Sequence, residues 1–223
     1  MDWFPLYNSI RIAAIATVIT FFFGIFLAYY IAKLPRMLKG VLDCILTLPL
    51  VLPPTVIGFF ILKSIGKNGS VGKMLMQLFN TKITMTWYAS VIAVIIVTFP
   101  LMYRTVRSSF EAFDKNLIYA GKTLGLSNTF IFWKILIPNC KEGILAGIVL
   151  SFARGLGEYG ATSMVSGYTP GRTATISTTV YQLWRESNDM LAYKWVFINV
   201  IISFVVLVSL NLLEKKAKNG GHK

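Results

Sequence analysis

Long apolar runs separated by short basic segments dominate this sequence. Four runs contain no charged side chain over about the 20 residues that a helix needs to cross the roughly 30 Å hydrocarbon core of a bilayer. A fifth run is as long but contains Arg154 and Glu158. The pattern predicts an all-α, polytopic membrane protein with five transmembrane helices, at about residues 9–32, 41–63, 83–105, 142–164 and 193–213. These helices form one transmembrane domain, residues 8–213, followed by a tail at 214–223 that we expect to be solvated and disordered.

Composition supports a membrane protein and argues against a nucleic-acid binder. Of the 223 residues, 55% are hydrophobic and 14% are charged, and the mean hydropathy is +0.64. Soluble domains carry about 25% charged residues. The net charge of +13 is spread between the apolar runs, whereas a nucleic-acid binder gathers its Lys and Arg into one patch beside a soluble core. We therefore expect the lipid bilayer, and no nucleic acid, as a partner.

The distribution of Lys and Arg predicts the orientation in the cell membrane. With the N-terminus outside, thirteen of these side chains lie in cytoplasmic segments and eight in outer segments, as the positive-inside rule favours. Five spans then leave the C-terminus in the cytoplasm. The first apolar run is longer than that of a signal peptide, so we expect it to remain in the mature protein. Cys44 and Cys140 fall near cytoplasmic ends of spans, where thiols stay reduced, and indicate no disulfide or metal site.

Three prolines interrupt the second predicted span: Pro49, Pro53 and Pro54. Proline lacks the backbone N–H and leaves a carbonyl group that needs another partner in lipid. The prolines therefore predict a kinked helix that packs against protein or lines a polar path. The alternative is a bent helix with a packing role alone. We treat the three prolines as candidates for a transport pathway or gate.

The fourth predicted span combines a face of small residues with two charges. Small residues recur every four positions, at Gly143, Gly147, Ser151 and Gly155. Such a face lets another backbone approach closely. Arg154 and Glu158 stand four residues apart and can pair, and a charge at the bilayer centre costs at least about 2.5 kcal/mol. We place this pair at the pathway or gate; the alternative is a pair near the interface that locks helices together. The glycines around it predict a break in the helix.

The predicted cytoplasmic segment between the third and fourth spans, residues 104–141, is the longest on that side. Asn116 can cap a short helix that ends at Thr123 or Leu124, and Gly125 can end it in the left-handed conformation. The sequence thus predicts a helix followed by a tight turn.

A second amphipathic helix is expected after that turn. Ser127 or Asn128 can cap it, and Pro138 marks the entry to the fourth span. Three apolar side chains share one face of this helix: Phe130, Trp133 and Ile137. Two short helices fixed between two spans form a rigid elbow suited to transmit force from a soluble partner. The alternative is an elbow that lies on the membrane surface.

Residues 119–138 resemble the EAA motif of ABC-importer permeases, which is E-A-A, three residues, Gly, about nine residues, then I-x-L-P. The matching positions are Tyr119, Ala120, Gly121, Gly125, Ile135, Leu136, Ile137 and Pro138. Tyr119 replaces the Glu of the motif, Gly121 its second Ala and Ile137 its Leu. Three further segments, "LTLPLVLPPTVIG", "FPLMYR" and "SFARGLGEYGAT", resemble molybdate permeases in the same order along the chain.

The resemblance implies a type I ABC importer permease whose cytoplasmic coupling helix sits in a cleft of an ATPase subunit. It assigns coupling to Tyr119, Ala120, Gly121, Lys122, Thr123, Leu124, Gly125 and Pro138. The implied partners are a second copy of the chain, two cytoplasmic ABC ATPase subunits and an extracytoplasmic molybdate-binding protein.

ATP would be used by the partner subunit, because this chain has no phosphate-binding loop of its own. Gly72 and Lys73 resemble the end of such a loop, but Lys67 and Met74 stand where Gly and Ser or Thr are required. We expect no cofactor or metal bound by this chain and no enzymatic activity of its own.

Other functions are weighed against a molybdate permease. A sulfate or tungstate permease of the same family would share most of these motifs. A stand-alone channel would conduct ions without ATP or partners. An intramembrane enzyme needs convergent catalytic side chains in the spans, yet the one His of the sequence, His222, lies in the tail.

Overall fold

A computed structural model describes residues 2–220; for a few of these, chiefly at 210–211 and 213–220, it describes the backbone alone. Within this range the chain is helical and contains no strand, which confirms the all-α prediction. The helices are α1 (Phe4–Ile31), α2 (Arg36–Thr47), α3 (Pro54–Ile65), α4 (Ser70–Phe79), α5 (Trp87–Ala112), α6 (Lys115–Thr123), α7 (Asn128–Phe130), α8 (Ile137–Asn139), α9 (Lys141–Leu156), α10 (Gly160–Ser166), α11 (Ile176–Arg185) and α12 (Asp189–Gly220). A 3₁₀ turn, Leu48–Leu50, follows α2, and a π-helix, Ile131–Leu136, joins α7 to α8.

The centre of the fold is the packing of α1, α5 and α9 against one another. Small residues allow this approach: a Cβ at Gly24 would lie 2.6 Å from Met102 Cγ. Some hydroxyl groups inside the bundle bond to their own helix; Thr98 Oγ1, for example, donates to Val94 O at 2.8 Å. This arrangement satisfies a polar group where no water is available.

The small-residue face of α9 packs against both long helices, as expected. A Cβ at Gly155 would lie 3.0 Å from Val94 Cγ1 and 3.6 Å from Ala13 Cα. A Cβ at Gly147 would lie 3.0 Å from Met102 Sδ. The close approach of three helices therefore depends on this face.

The second predicted span, residues 41–63, is divided into two helical parts and is not one kinked helix. It consists of α2 and its 3₁₀ turn followed by α3, and the two parts meet at an angle of 101°. Pro53 has φ −54° and ψ 135°, the extended conformation that a following proline favours, and Pro54 occupies the first turn of α3, where its missing N–H costs nothing. The proline pair therefore divides this segment into two helices.

The fourth predicted span, residues 142–164, is also divided. The helical segment Asn128–Asn139 meets α9 at 70°, α9 ends at Leu156, and α10 starts at Gly160 after three intervening residues. The break at 157–159 falls among the glycines that predicted it.

The remaining spans differ from prediction at their ends. The third begins at Trp87 rather than 83, because the Thr86 hydroxyl caps α5 by accepting from Ala89 N. The fifth continues as α12 to Gly220, so residues 214–220 of the predicted tail are helical and not disordered; 221–223 lie outside the described residues. Within residues 2–220, three helices are long and apolar enough to cross a membrane, and up to five spans result if each bent pair forms one span.

Candidate functional site

The break between α9 and α10 holds the two charges of the fourth span. Arg154 Nη1 lies 2.7 Å from Glu158 Oε2, so the predicted pair forms. Glu158 is buried, whereas the Arg154 side chain is 35% exposed. The other carboxylate oxygen, Oε1, accepts from Ala161 N at 2.8 Å, in the first turn of α10. Glu158 therefore uses both oxygens to hold the break, one for an ion pair and one for a backbone N–H left free at a helix start.

The start of α3 meets the start of α10 at this break. A Cβ at Gly160 would lie 2.9 Å from Pro54 Cβ, and a Cβ at Gly58 would lie 2.9 Å from Ala161 Cα. The two interrupted segments thus touch nearly backbone to backbone. This contact brings Pro54 close to the Arg154–Glu158 pair. We call the region formed by Pro54, Gly58, Arg154, Glu158 and residues 157–161 the helix-break site.

The other two candidate prolines lie on the far side of the bend. Pro49 sits in the 3₁₀ turn, which packs against α5, and Pro53 is exposed in the linker before α3. The structure brings Pro54, but neither Pro49 nor Pro53, into a described contact with α10.

The elbow, α6 to α8, has the predicted turn and one different cap. Asp114, two residues before Asn116, caps α6 because its Oδ1 accepts from Asn116 N at 2.9 Å. Gly125 has φ +73°, as predicted, and Ser127 caps α7 by accepting from Phe130 N at 3.2 Å. Either Asp or Asn can fill the capping position, so the sequence alone did not decide between 114 and 116.

A π-helix changes which residues face the protein in the second arm of the elbow. In this wider register Ile131 and Leu136 are buried, five positions apart. Phe130 and Trp133, which a regular helix places on one face with Ile137, are 47% and 59% exposed. π-Helices are rare and frequently occur at functional sites.

The two arms of the elbow are in contact at Gly121. A Cβ there would lie 3.2 Å from Ile131 Cγ1 and 3.3 Å from Ile135 Cδ1, tighter than ordinary contact. An Ala at this position, as in the EAA motif, would require the Ile131 and Ile135 side chains to shift by a few tenths of an ångström.

The outward surface of α6 is apolar and basic. Tyr119 is 60% exposed and Leu124 is 78% exposed. Ala120, Lys122 and Thr123 are exposed beside them. The predicted coupling residues of α6 thus form a surface that nothing in the described part of the chain covers, apart from Gly121, which is buried.

Sequence reasoning missed a polar cluster that joins α2 to α5. Arg107 pairs with Asp43 and, at 3.3 Å, with Glu111. Lys39 Nζ lies 2.7 Å from the same Glu111 carboxylate, and Tyr103 donates its hydroxyl hydrogen to Asp43. The spacing of Arg107 and Glu111 signals one of these pairs, but the partners from α2 are far away in sequence.

At the opposite end of the bundle, the segment before α11 is fixed to α1. Asn8 Nδ2 donates to Ala174 O at 2.9 Å, and Ile176 N donates to Ser9 Oγ at 2.9 Å. Burial, with a smaller contribution from Glu186, raises the pKa of the Tyr168 phenol above its ordinary value. Two hydrogen bonds therefore hold the segment before α11 against α1.

The model of one protein family, the binding-protein-dependent transport system inner membrane component, matches residues 12–219. The chain belongs to this family. The resemblance to ABC-importer permeases is thereby confirmed, and the chain is a multi-pass membrane protein of a transport system.

Relatives of this permease include two molybdenum proteins. The molybdenum transport system permease protein ModB of Escherichia coli (strain K12) is 37% identical over 208 residues, covering 93% of this chain and 91% of the relative. The putative molybdenum transport system permease protein YvgM of Bacillus subtilis (strain 168) is 36% identical over 203 residues, covering 91% and 89%. The sulfate transport system permease protein CysW of Synechococcus elongatus is 33% identical over 215 residues, covering 95% of this chain and 75% of the relative.

The fold of the permease is found in solved structures. A chain of a bacterial alginate ABC transporter, crystallised in complex with an alginate pentasaccharide-bound periplasmic protein, superposes with a TM-score of 0.73 at 15% identity. The match covers 94% of this chain and 77% of that one. The fold of an ABC importer permease, predicted from the motifs, is confirmed.

Proposed function

We propose that this chain is the membrane permease subunit of an ABC importer that carries molybdate into the cell. The observation that carries the proposal is the similarity, over 93% of this chain, to a permease named for molybdenum transport. The exposed elbow supports it, because a permease without an ATP-binding loop needs a surface on which an ATPase subunit acts.

The proposed orientation places the N-terminus outside and the elbow in the cytoplasm. The basic side chains of the elbow end, among them Lys33, Arg36 and Lys122, support this orientation through the positive-inside rule. The partners are then two cytoplasmic ABC ATPase subunits that bind the elbow, an extracytoplasmic molybdate-binding protein, and a second copy of the chain. The transmembrane domain is residues 8–213.

The proposed mechanism uses the elbow and the helix-break site. ATP binding and hydrolysis in the partner move the elbow, and α9 carries this motion because it follows the elbow directly and ends at the helix-break site. A shift of α10 against α3 then opens or closes the transport pathway for the anion. Arg154 supplies a positive charge beside it, suited to an oxyanion, while Glu158 holds that guanidinium in place.

Sulfate is the second candidate cargo, favoured by the similarity to a sulfate permease at 33% identity. The deciding experiment is uptake of labelled molybdate into vesicles that contain the permease, its ATPase and the binding protein, with and without ATP. We expect ATP-dependent uptake that excess sulfate leaves unchanged. Uptake abolished by sulfate would assign the protein to sulfate, and flux without ATP would contradict an importer.

A further inference from the structure

A large basic cavity lies between the end of α1, the elbow and the start of α2. Its volume is about 1290 Å³, and its wall includes Phe26, Tyr30, Lys33, Arg36, Lys115 and Lys122. The wall also includes Tyr119 of the elbow surface and the paired side chains of Lys39 and Glu111.

The cavity carries an excess of positive charge. Of the lining residues that the structure describes, five are basic and one, Glu111, is acidic. The Glu111 carboxylate is already paired with Lys39 at 2.7 Å and with Arg107 at 3.3 Å. Among the side chains that the structure describes, the other four basic groups have no carboxylate within 4.0 Å. Four unpaired cations around one concave surface favour an anionic ligand.

Part of the cavity wall is aromatic and lies deeper along α1. Phe26 precedes Lys33 by seven residues, which is about 10 Å along a helix. Phe26 is 57% exposed and Tyr30 is 53% exposed. Tyr29 is held in this wall by Phe132 of the π-helix, with ring centroids 4.6 Å apart, and Lys33 Nζ lies 3.4 Å from the Tyr29 ring centroid.

Aromatic side chains deeper along α1 and basic side chains at its end match the structure of a phospholipid rather than the surface of a soluble protein. Because α1 crosses the membrane, its aromatic wall lies at the depth of acyl chains, and the basic groups at its end lie at the depth of headgroups. An acidic surface of a soluble subunit reaches the basic rim but not the wall inside the bilayer.

We propose that the cavity binds an anionic phospholipid, with the lipid phosphate held by Lys33, Arg36 and Lys115 and an acyl chain along Phe26 and Tyr30. Since Lys33 follows α1 and Lys115 starts α6, one phosphate ties the elbow to the end of a span. Placement in the inner leaflet rests on the proposed function, but binding itself does not.

The test is native mass spectrometry of the full-length chain in detergent, without partner subunits or ATP. The protein is titrated with phosphatidylglycerol, with phosphatidylcholine of the same acyl chains, and with inorganic phosphate as a competitor. The variant Lys33→Gln/Arg36→Gln/Lys115→Gln is compared with Lys63→Gln/Lys73→Gln/Lys194→Gln, which removes three exposed lysines at the opposite end. Lys33→Arg/Lys115→Arg keeps the charge and reports on effects of substitution alone.

Phosphatidylglycerol should bind the wild-type chain about tenfold more tightly than phosphatidylcholine, and the first triple variant should lose this preference, because it removes three positive charges that favour a net anionic headgroup. The control triple variant and the arginine variant should bind as the wild type does. Equal binding of both lipids, or equal losses in both triple variants, would overturn the proposal.

Two further outcomes identify a different occupant. Full displacement of phosphatidylglycerol by inorganic phosphate would assign the cavity to a free anion and overturn the lipid assignment. Normal lipid binding by the first triple variant, together with loss of co-purification with the ATPase subunit, would assign the cavity to that subunit. Failure of molybdate uptake would leave the lipid result unaffected, because no transport is measured here.

Discussion

The elbow and the helix-break site are both interruptions of helical structure, but different forces hold them. The elbow is fixed by neighbours in sequence: Asp114, Gly125 and Ser127 each act within three residues of their own position. The helix-break site depends on Pro54 and Gly58, which are about a hundred residues away from Glu158. One site presents an exposed surface, and the other is buried between helices.

The difference indicates which property a substitution in each site should change. A substitution on the exposed surface of the elbow removes little buried contact, so it should alter the response to a partner more than the stability of the chain. A substitution at the helix-break site affects packed backbone and a buried charge, so it should lower stability first. The following predictions test this division.

The largest effect is expected from Glu158→Ala. The substitution leaves Arg154 without its partner and Ala161 N without an acceptor, and breaking a buried pair costs roughly 3 to 5 kcal/mol. Because Arg154 is 35% exposed and water can solvate it, we expect about 3 kcal/mol, the lower end of that range. Thermal unfolding in detergent measures the loss. Glu158→Gln keeps an acceptor for Ala161 and should lose clearly less; equal losses would argue against the capping role.

A smaller loss is expected from Gly58→Ala, for which the chain offers a matched control. The new Cβ would lie 2.8 Å from Met164 Cβ and 2.9 Å from Ala161 Cα, and such overpacking costs about 1 to 3 kcal/mol. Gly40→Ala, also in a helix, has no atom within 4 Å of its new Cβ and should stabilise the chain by about 0.5 kcal/mol through helix propensity. If both variants melt alike, the contact of α3 with α10 is not tight.

Gly125→Val should cost about 1 kcal/mol, because its φ of +73° is unfavourable for a side chain although no atom lies within 4 Å. Its effect on coupling should be larger: ATP-driven uptake should fall about fivefold or more at equal protein level. Gly125→Asn tolerates the left-handed conformation and should retain uptake. Normal uptake by the Val variant would remove the elbow from the mechanism.

The smallest effect is expected from Arg107→Ala, which unpairs Asp43 and weakens the link between α2 and α5. The group is partly exposed, so we expect about 1 kcal/mol or less, decreasing at high salt. Arg104→Ala is the control, since Arg104 is exposed and forms no ion pair within the described residues. A loss that does not change with salt would indicate packing rather than charge.

Local signals explain how much of the elbow was predictable. The left-handed Gly125 and the Ser127 cap need no distant partner, so both can be predicted from the local sequence. The choice of Asp114 over Asn116 was missed because both residues can cap and only the position of the turn before α6 decides. The π-helix was missed because its register is selected by the burial of Ile131 and Leu136 against other helices.

The sequence by itself determined the membrane class, the positions of the breaks and the pairing of Arg154 with Glu158, because apolar length, proline and glycine chemistry and i,i+4 spacing are properties of a chain segment. Only the tertiary structure decided that α3 and α10 meet at those breaks, that the second segment bends by 101°, and that Asp43 reaches Arg107. These features depend on side-chain volumes and charges that are distant in sequence, and a chain segment taken alone carries no information on which partner it meets.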